Sequence, residues 1–292
     1  MKANSEGIIG VQDMKRLRVK TLYWALFAGM MAVAVVCLFP PVWLLLSSLK
    51  DVKEFFAVPP TIIPRSFETD KIVRTWQDYK FLRIYGNTLL VTGGTLVSTI
   101  VFNGVTGFVL SRLKPVGSGV LMTLVLWTML LPNTVGMVGV FKNLVQFPIL
   151  GLNLTDSYWP LWLMAGANAY FILIFKGFFD GIPQALMEAA RIDGCTPVGL
   201  FVRIALPLSK PVLWAVSILT VNNAWSDFFW PYMVLKDNRL WTVMVAIFNL
   251  KGTVPMDVMF VALALSILPP AVLFIFFQRF IVQGFTFSGI KG

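Results

Sequence analysis

Residues 180–211 read DGIPQALMEAARIDGCTPVGLFVRIALPLSKP. Two short helix signals stand back to back in this stretch. Pro183 fits the first turn of a helix, where its missing N–H costs nothing, and Gln184 to Asp193 are mostly good helix formers. Gly194 stands where a left-handed C-terminal cap belongs. Thr196 offers an N-cap hydroxyl with Pro197 at the next first helical position, and a second short helix runs toward Ala205 and stops before Pro207. In the first helix Leu186, Ala189, Ala190 and Asp193 recur at i, i+3, i+4 and i+7, a face kept narrow by its two alanines. Glu188 and Arg191 are spaced to pair across that helix, a contact worth about 0.2–0.5 kcal/mol. Such a helix lies against the membrane or the protein's own base, or it inserts in a partner's groove. The residues alone leave both readings open.

On either side the chain turns strongly apolar. Of 292 residues 57% are hydrophobic and 13% charged, with a mean hydropathy of +0.78. Soluble domains run at about 45–50% apolar and about 25% charged, so the excess must face lipid. A bilayer core of about 30 Å needs about 20 apolar helical residues. Six stretches qualify: residues 22–46, 87–110, 120–140, 158–175, 212–232 and 258–281. The first is too long for a signal-peptide core and reads as a retained span. Lys15, Arg16, Arg18 and Lys20 precede it with no acidic residue after Asp13, which keeps residues 1–21 in the cytoplasm. Six crossings then return the C-terminus, with Arg279 and Lys291, to the same side, and make residues 111–119 and the loop 178–211 cytoplasmic. The expected fold is an all-α polytopic membrane protein with six transmembrane helices in residues 22–292 and both ends cytoplasmic. The net charge of +10 is mostly this topology signal, since no exposed basic face with a reading element for nucleic acid is visible.

The external segment 49–85 carries seven basic and five acidic residues, with Pro59, Pro60 and Pro64 among Phe55, Phe56, Trp76 and Tyr79. The prolines predict irregular backbone, and the aromatics suit a headgroup boundary or a docking surface. Its basic residues hint at acidic, uronate-bearing solutes, and the acidic neighbours dilute that hint. Pro40–Pro41, Pro132 and Pro269–Pro270 should each bend a span, and Gly93, Gly94, Gly104 and Gly107 offer small surfaces for close helix contact.

The chemistry is bounded by what is missing from the sequence. There is no histidine, no metal-ligand spacing around Cys37 and Cys195, and no GxxxxGK[ST] phosphate loop. Any nucleotide that drives this system binds another polypeptide. Polar residues inside spans are costly and mark a transport path by default: Asn103, Asn133, Asn168, Tyr170, Asn222, Asn223 and Asp227, with Trp225 and Trp230 beside them for sugar faces. Buried amides also serve as glue between helices, and Asp227 near the outer interface can simply be hydrated.

From Glu188 to Pro207 the loop resembles the EAA loop of binding-protein-dependent ABC importer permeases: Glu-Ala-Ala, three residues, Gly, nine residues, Ile, any residue, Leu-Pro. Here these are Glu188, Ala189, Ala190, Gly194, Ile204, Leu206 and Pro207, every spacing met. The resemblance implies a type I importer fold in the bacterial cytoplasmic membrane, with Glu188 to Ala190, Asp193 and Gly194 forming a helix and turn that dock in a separate ATPase. Nearly the whole chain is also similar to the smaller permease of maltose-type carbohydrate importers. That similarity rests on Ser48-Leu49-Lys50 with Phe55 and Pro59, on Asn87-Thr88, on Trp225-Ser226-Asp227-Phe228, and on Gln278-Arg279-Phe280 to Gln283-Gly284 with a Lys291-Gly292 end. The family more often has Asn-Glu where Ser226-Asp227 stand here, which loosens any polar role carried over to them. The implied partners are a homologous larger permease, two ATPases holding ATP-Mg, an extracytoplasmic solute-binding protein and a sugar. The chain itself needs no cofactor and is not an enzyme. Polyols, phosphorylated glycerol or amino acids as cargo, or a secondary carrier, remain the alternatives; the last would need ion-coupling carboxylates or an inverted repeat.

Overall fold

The computed structural model describes residues 16–59, 61–132, 134–148 and 151–286, with side chains described as far as residue 277. Lys15, Pro60, Asn133, Lys291 and Gly292 lie outside the described residues, as do the side chains of Gln278, Arg279, Phe280 and Gln283. Among the described residues all regular structure is helical. The chain forms two compact units, one reaching Ile72 and including Pro255–Ala264, the other running Val73–Val254 and resuming at Leu265.

In the first unit, α1 (Leu17–Ser47) is apolar all round, and its most hydrophobic window has no buried residue. A helix so exposed needs lipid as its solvent. It runs through Pro40–Pro41 without a break. The segment after it is folded rather than irregular, with a 3-10 turn at Val52–Phe56 and α2 (Thr69–Asp78). The Glu54 carboxylate accepts the Arg65 amide at 3.0 Å, the Ser66 amide at 3.2 Å and the Thr61 hydroxyl at 3.2 Å. The Arg65 amide first, then Ser66 and Thr61, hold that carboxyl below its ordinary range. Lys50 is buried and donates to the Thr61 carbonyl, while Lys71 donates to the Lys50 carbonyl and pairs with Asp257 at 3.4 Å. Two of the seven basic residues thus serve the segment's own backbone, which removes them from any role toward an acidic solute.

The second unit takes in the end of α2 from Val73 and continues with α3 (Phe81–Leu113), one helix containing two π-helical turns, Thr99–Asn103 and Val109–Leu113. Next come α4 (Ser118–Leu130), α5 (Met137–Val145), α6 (Trp159–Ala165), α7 (Ala169–Asp180), α8 (Gln184–Ile192), α9 (Pro197–Leu208), α10 (Lys210–Ser226), α11 (Phe229–Val234) and α12 (Val243–Leu250). The last, α13 (Met256–Thr286), is continuous through Pro269–Pro270.

Three of the six expected spans are therefore single helices: α1, α3 and α13. The other three are broken. The stretch 120–140 is two helices, because Leu131 precedes Pro132 and is driven to extended backbone (φ −79°, ψ 131°), where α4 stops at a length of about 20 Å. The stretch 158–175 is α6 and α7, bent by 42°. The stretch 212–232 ends as a helix at Ser226, with Asp227 extended (φ −69°, ψ 119°) before α11.

Glycines set the closest packing. A Cβ on Gly107 would lie 2.8 Å from Phe175 Cβ and 3.0 Å from the Lys176 nitrogen, so α3 and α7 touch backbone to backbone there. Gly94 likewise admits the indole of Trp162. Asn87 donates to the Arg239 and Trp241 carbonyls at 2.8 and 3.0 Å, and the Thr88 hydroxyl accepts the Val243 amide at 2.9 Å. Those two residues thereby fasten the segment that enters α12.

Candidate functional site

The loop 178–211 folds as two helices with a closed turn between them. At Gly194 (φ +80°) the Gly194 amide bonds the Arg191 carbonyl at 3.0 Å and the Cys195 amide bonds the Ala190 carbonyl at 2.9 Å. This pair of bonds is a Schellman motif, and it consumes carbonyls that α8 would otherwise leave open. The Thr196 hydroxyl accepts the Gly199 amide at 3.2 Å with Pro197 at the first helical position. Four details differ from the sequence expectation. Pro183 is the N-cap of α8, one position earlier. The second helix does not stop at Pro207: its backbone widens into a π-helical stretch, Leu200–Ala205, and α9 continues to Leu208 before bending 81° into α10. Glu188 does not pair with Arg191 but accepts from Gln184 at 3.3 Å. Met187 and Ala190 turn inward onto the Phe175, Phe179 and Leu200 cluster, while Leu186, Ala189 and Asp193 remain outside. Ile192 and Val198 join the exposed side at 86% and 71% exposure, with Leu186 at 47%.

Arg112, at the end of α3, grips the near side of this loop. Its Nε donates to the Phe179 carbonyl at 2.8 Å, Nη2 donates to the Phe179 and Ile182 carbonyls, and Nη1 reaches the Gln184 side chain at 3.0 Å. Its neighbour Ser111 donates to Asp180 at 2.6 Å, and Asp180 also pairs with Lys176 at 2.7 Å. Neither residue carries a local signal in the sequence; their role appears only once α3 and α7 are packed.

A cavity of about 950 Å³ opens where the broken helices meet. Leu131, Pro132, Val135 and Gly136, then Ala165, Ala167 and Asn168, and Ser226 with Asp227 all contribute to its wall, as irregular backbone in a membrane must either be buried or line a cavity. Asn168, Asn223, Asp227 and Trp230 line it with Ser226, as do Thr95, Thr99, Thr128 and Thr220, which the sequence reading passed over. The hydroxyls of Thr99 and Thr220 are buried without a protein partner. A periodic signal existed for them: Val91, Thr95 and Thr99 recur at i, i+4, i+8, and Thr220, Asn223, Ala224 and Asp227 at i, i+3, i+4, i+7. Asp227 is the one charged residue on this wall among the described residues.

The remaining expected path residues lie elsewhere. Asn103 is fully buried and bridges the α6–α7 break, donating to the Ala165 carbonyl at 2.8 Å and accepting the Asn168 amide at 2.9 Å. Tyr170 is half exposed on the outer surface of α7. Asn222, one residue and about 100° from Asn223, lines a separate apolar pocket of about 430 Å³ with Trp214 and Trp225. The Trp225 indole is committed to the Ser266 carbonyl at 3.2 Å.

Lipid-facing helices broken around a cavity with amide, hydroxyl and carboxylate groups in its wall, with a capped helix pair on a loop, define a helical membrane permease. The chain belongs to the family of binding-protein-dependent transport system inner membrane components, whose model matches residues 103–287. It is 32% identical over 278 residues to the arabinooligosaccharides transport system permease protein AraQ of Bacillus subtilis (strain 168), covering 92% of this chain and 95% of the relative. To the AraQ of Halalkalibacterium halodurans it is 30% identical over 284 residues, covering 96% and 100%. Among solved structures, a bacterial ABC transporter that imports the acidic polysaccharide alginate shares the fold at a TM-score of 0.78 and 21% identity, over 90% of this chain and 96% of that one.

Proposed function

We propose that this chain is one permease subunit of an ATP-driven importer that carries oligosaccharides inward by alternating access. It crosses the membrane six times with both ends in the cytoplasm, and pairs with a homologous larger permease, two ATPases that hold ATP-Mg, and an external solute-binding protein. The coupling loop, with Glu188, Ala189, Ala190, Asp193, Gly194, Ile204, Leu206 and Pro207, transmits ATPase closure to the spans, and the cavity at Asp227 receives the solute.

The observation that carries this reading is the build of α8. Its backbone is closed by its own turn at Gly194, yet Leu186, Ile192 and Val198 stand exposed beside it. A rigid helix with an uncovered apolar side fits a groove on another protein. The AraQ relatives support a carbohydrate as cargo. In the cavity wall, hydroxyl and amide groups alternate with apolar surface, the mixture that a sugar ring presents in return.

The test is uptake into vesicles bearing the reconstituted complex with its binding protein. ATP-dependent entry of arabinooligosaccharides is expected, against uronate oligomers, a polyol and glycerol phosphate as competitors. Uptake that persists without any ATPase makes the chain a secondary carrier and ends the proposal. A cysteine at Thr196, with Cys195 and Cys37 replaced, should react only with membrane-permeant reagents; labelling from outside would overturn the six-span topology.

A further inference from the structure

Two connections leave α8, and they are built differently. On the far side the chain passes through Gly194 into α9, whose bonds to α8 are the two local turn bonds, and then bends by 81° at Ser209. On the near side, the bend at Gly181–Pro183 is spanned from outside by a single guanidinium. Arg112 holds the Phe179 carbonyl before the bend, the Ile182 carbonyl inside it and the Gln184 side chain after it. Gln184 in turn donates to Glu188, one turn along α8. A planar fork with several fixed donors suits this better than any other side chain. Capping α7 alone would need only the Phe179 carbonyl.

The helix that supplies Arg112 is itself tied to the cavity. Thirteen residues upstream Thr99 lines the wall, and in the same π-turn Asn103 pins the Ala165 and Asn168 backbone, which also lines it. Between the two ends Gly107 seats α3 directly on α7. The α3–α7 pair is thus fastened at Asn103, at Gly107 and at Ser111–Arg112. Turns of π-helix often mark functional positions, and here one stands at each end fastening.

We infer that Arg112 is the joint through which displacement of α8 reaches the cavity wall. It is a positioning residue, acting on α8 and α7 rather than on the solute. The inference rests on the reading of α8 as the helix that docks in the ATPase. On this inference a signal from the external binding protein that reaches the ATPase by way of α3 and α7 crosses the same joint.

The experiment compares binding-protein-stimulated with basal ATP hydrolysis in the full reconstituted complex, which requires no knowledge of the sugar. Arg112→Ala should lower the stimulation ratio about fivefold or more. Arg112→Lys keeps the charge but cannot bridge three acceptors, and should recover only part of it. An Arg112→Ala complex with a wild-type ratio overturns the proposal. If that variant assembles poorly, spin-label distances decide, with labels at Ala185 and Val105 and a control pair at Val105 and Tyr170. The Ala185–Val105 distribution should be narrow in the wild type and broad in Arg112→Ala, while the control pair stays the same; an unbroadened Ala185–Val105 distribution overturns the joint. Ile192→Asp separates the two readings, since full stimulation in that variant removes the docking of α8 while the label distances still report on Arg112.

Discussion

The loop 178–211 and the cavity wall are both places where helices break, and they finish their breaks differently. In the loop several backbone ends are closed internally, by the Gly194 turn, the Thr196 cap and the Arg112 fork. What remains open is apolar: Ile192, Val198 and Leu186. In the cavity the wall is mixed: apolar side chains such as Leu131 and Val135 stand beside Asn168, Asn223 and Asp227, and the Thr99 and Thr220 hydroxyls are buried without a protein partner. Burying a side chain such as Ile192 against a partner would be worth about 1.5–3 kcal/mol, so under the proposed function the loop would gain by staying docked. Each hydrogen bond that a solute brought to the wall would add about 0.5–1.5 kcal/mol, little enough to let it leave again. Under the proposed function one surface serves a permanent neighbour, the other a visitor.

Gly194→Val should do the most to break this contrast. A Cβ there meets no atom within 4 Å, so the whole cost is the left-handed backbone, about 1–2 kcal/mol and steeper for a branched side chain. The turn should open, α8 should tilt, and stimulated ATP hydrolysis should vanish while membrane insertion stays normal. Gly194→Ala should lose less. Full stimulation in the valine variant would mean the loop is not the coupling element.

Asn103→Leu comes next. It strips partners from the Ala165 carbonyl and the Asn168 amide, at a cost of about 1–3 kcal/mol. The detergent-solubilised complex should melt at a lower temperature, with its preference among solutes unchanged. A shifted preference would return Asn103 to the transport path.

The smallest effect belongs to Asp227→Asn. The Phe229 and Trp230 amides face this carboxylate, and an amide oxygen can replace it as their acceptor. Assembly should therefore survive, and uptake of sugars should fall by a few-fold, about the worth of one charge-assisted hydrogen bond exchanged for a neutral one. Wild-type uptake across a panel of sugars would make Asp227 a helix cap and nothing more.

The same contrast explains what could be read from the residues. The turn at Gly194 and the cap at Thr196 depend on neighbours within a few positions, and both stand where the sequence puts them. The sequence put Leu186, Ala189, Ala190 and Asp193 on one face and left open what that face meets; of the four only Ala190 turns inward, beside Met187, because two alanines leave the helix's apolar direction poorly defined. Among the polar residues, chemistry alone could not separate Asn222 from Asn223 or Asn103 from Asn168; only their phase around the helix does so. The threonines of the wall were missed because a helical threonine usually bonds its own backbone and attracts no notice. Arg112 was invisible for a different reason. Its partners lie 67 to 72 positions away, and no local pattern reports them.

The two π-turns of α3 have one more consequence. Each amounts to a single extra residue accommodated in the helix, in a turn wider than an α-turn. The extra residue is absorbed within that turn, so the helix beyond it keeps its phase. Deleting one residue from Thr99–Asn103 would let an ordinary α-turn re-form and leave Arg112 facing the Phe179 carbonyl, whereas deleting one from the α-helical Gly104–Phe108 would swing Arg112 by about 100°. Homologous chains can therefore gain or lose a residue in the π-turns, but a one-residue gap between them would put the ends of this helix out of step.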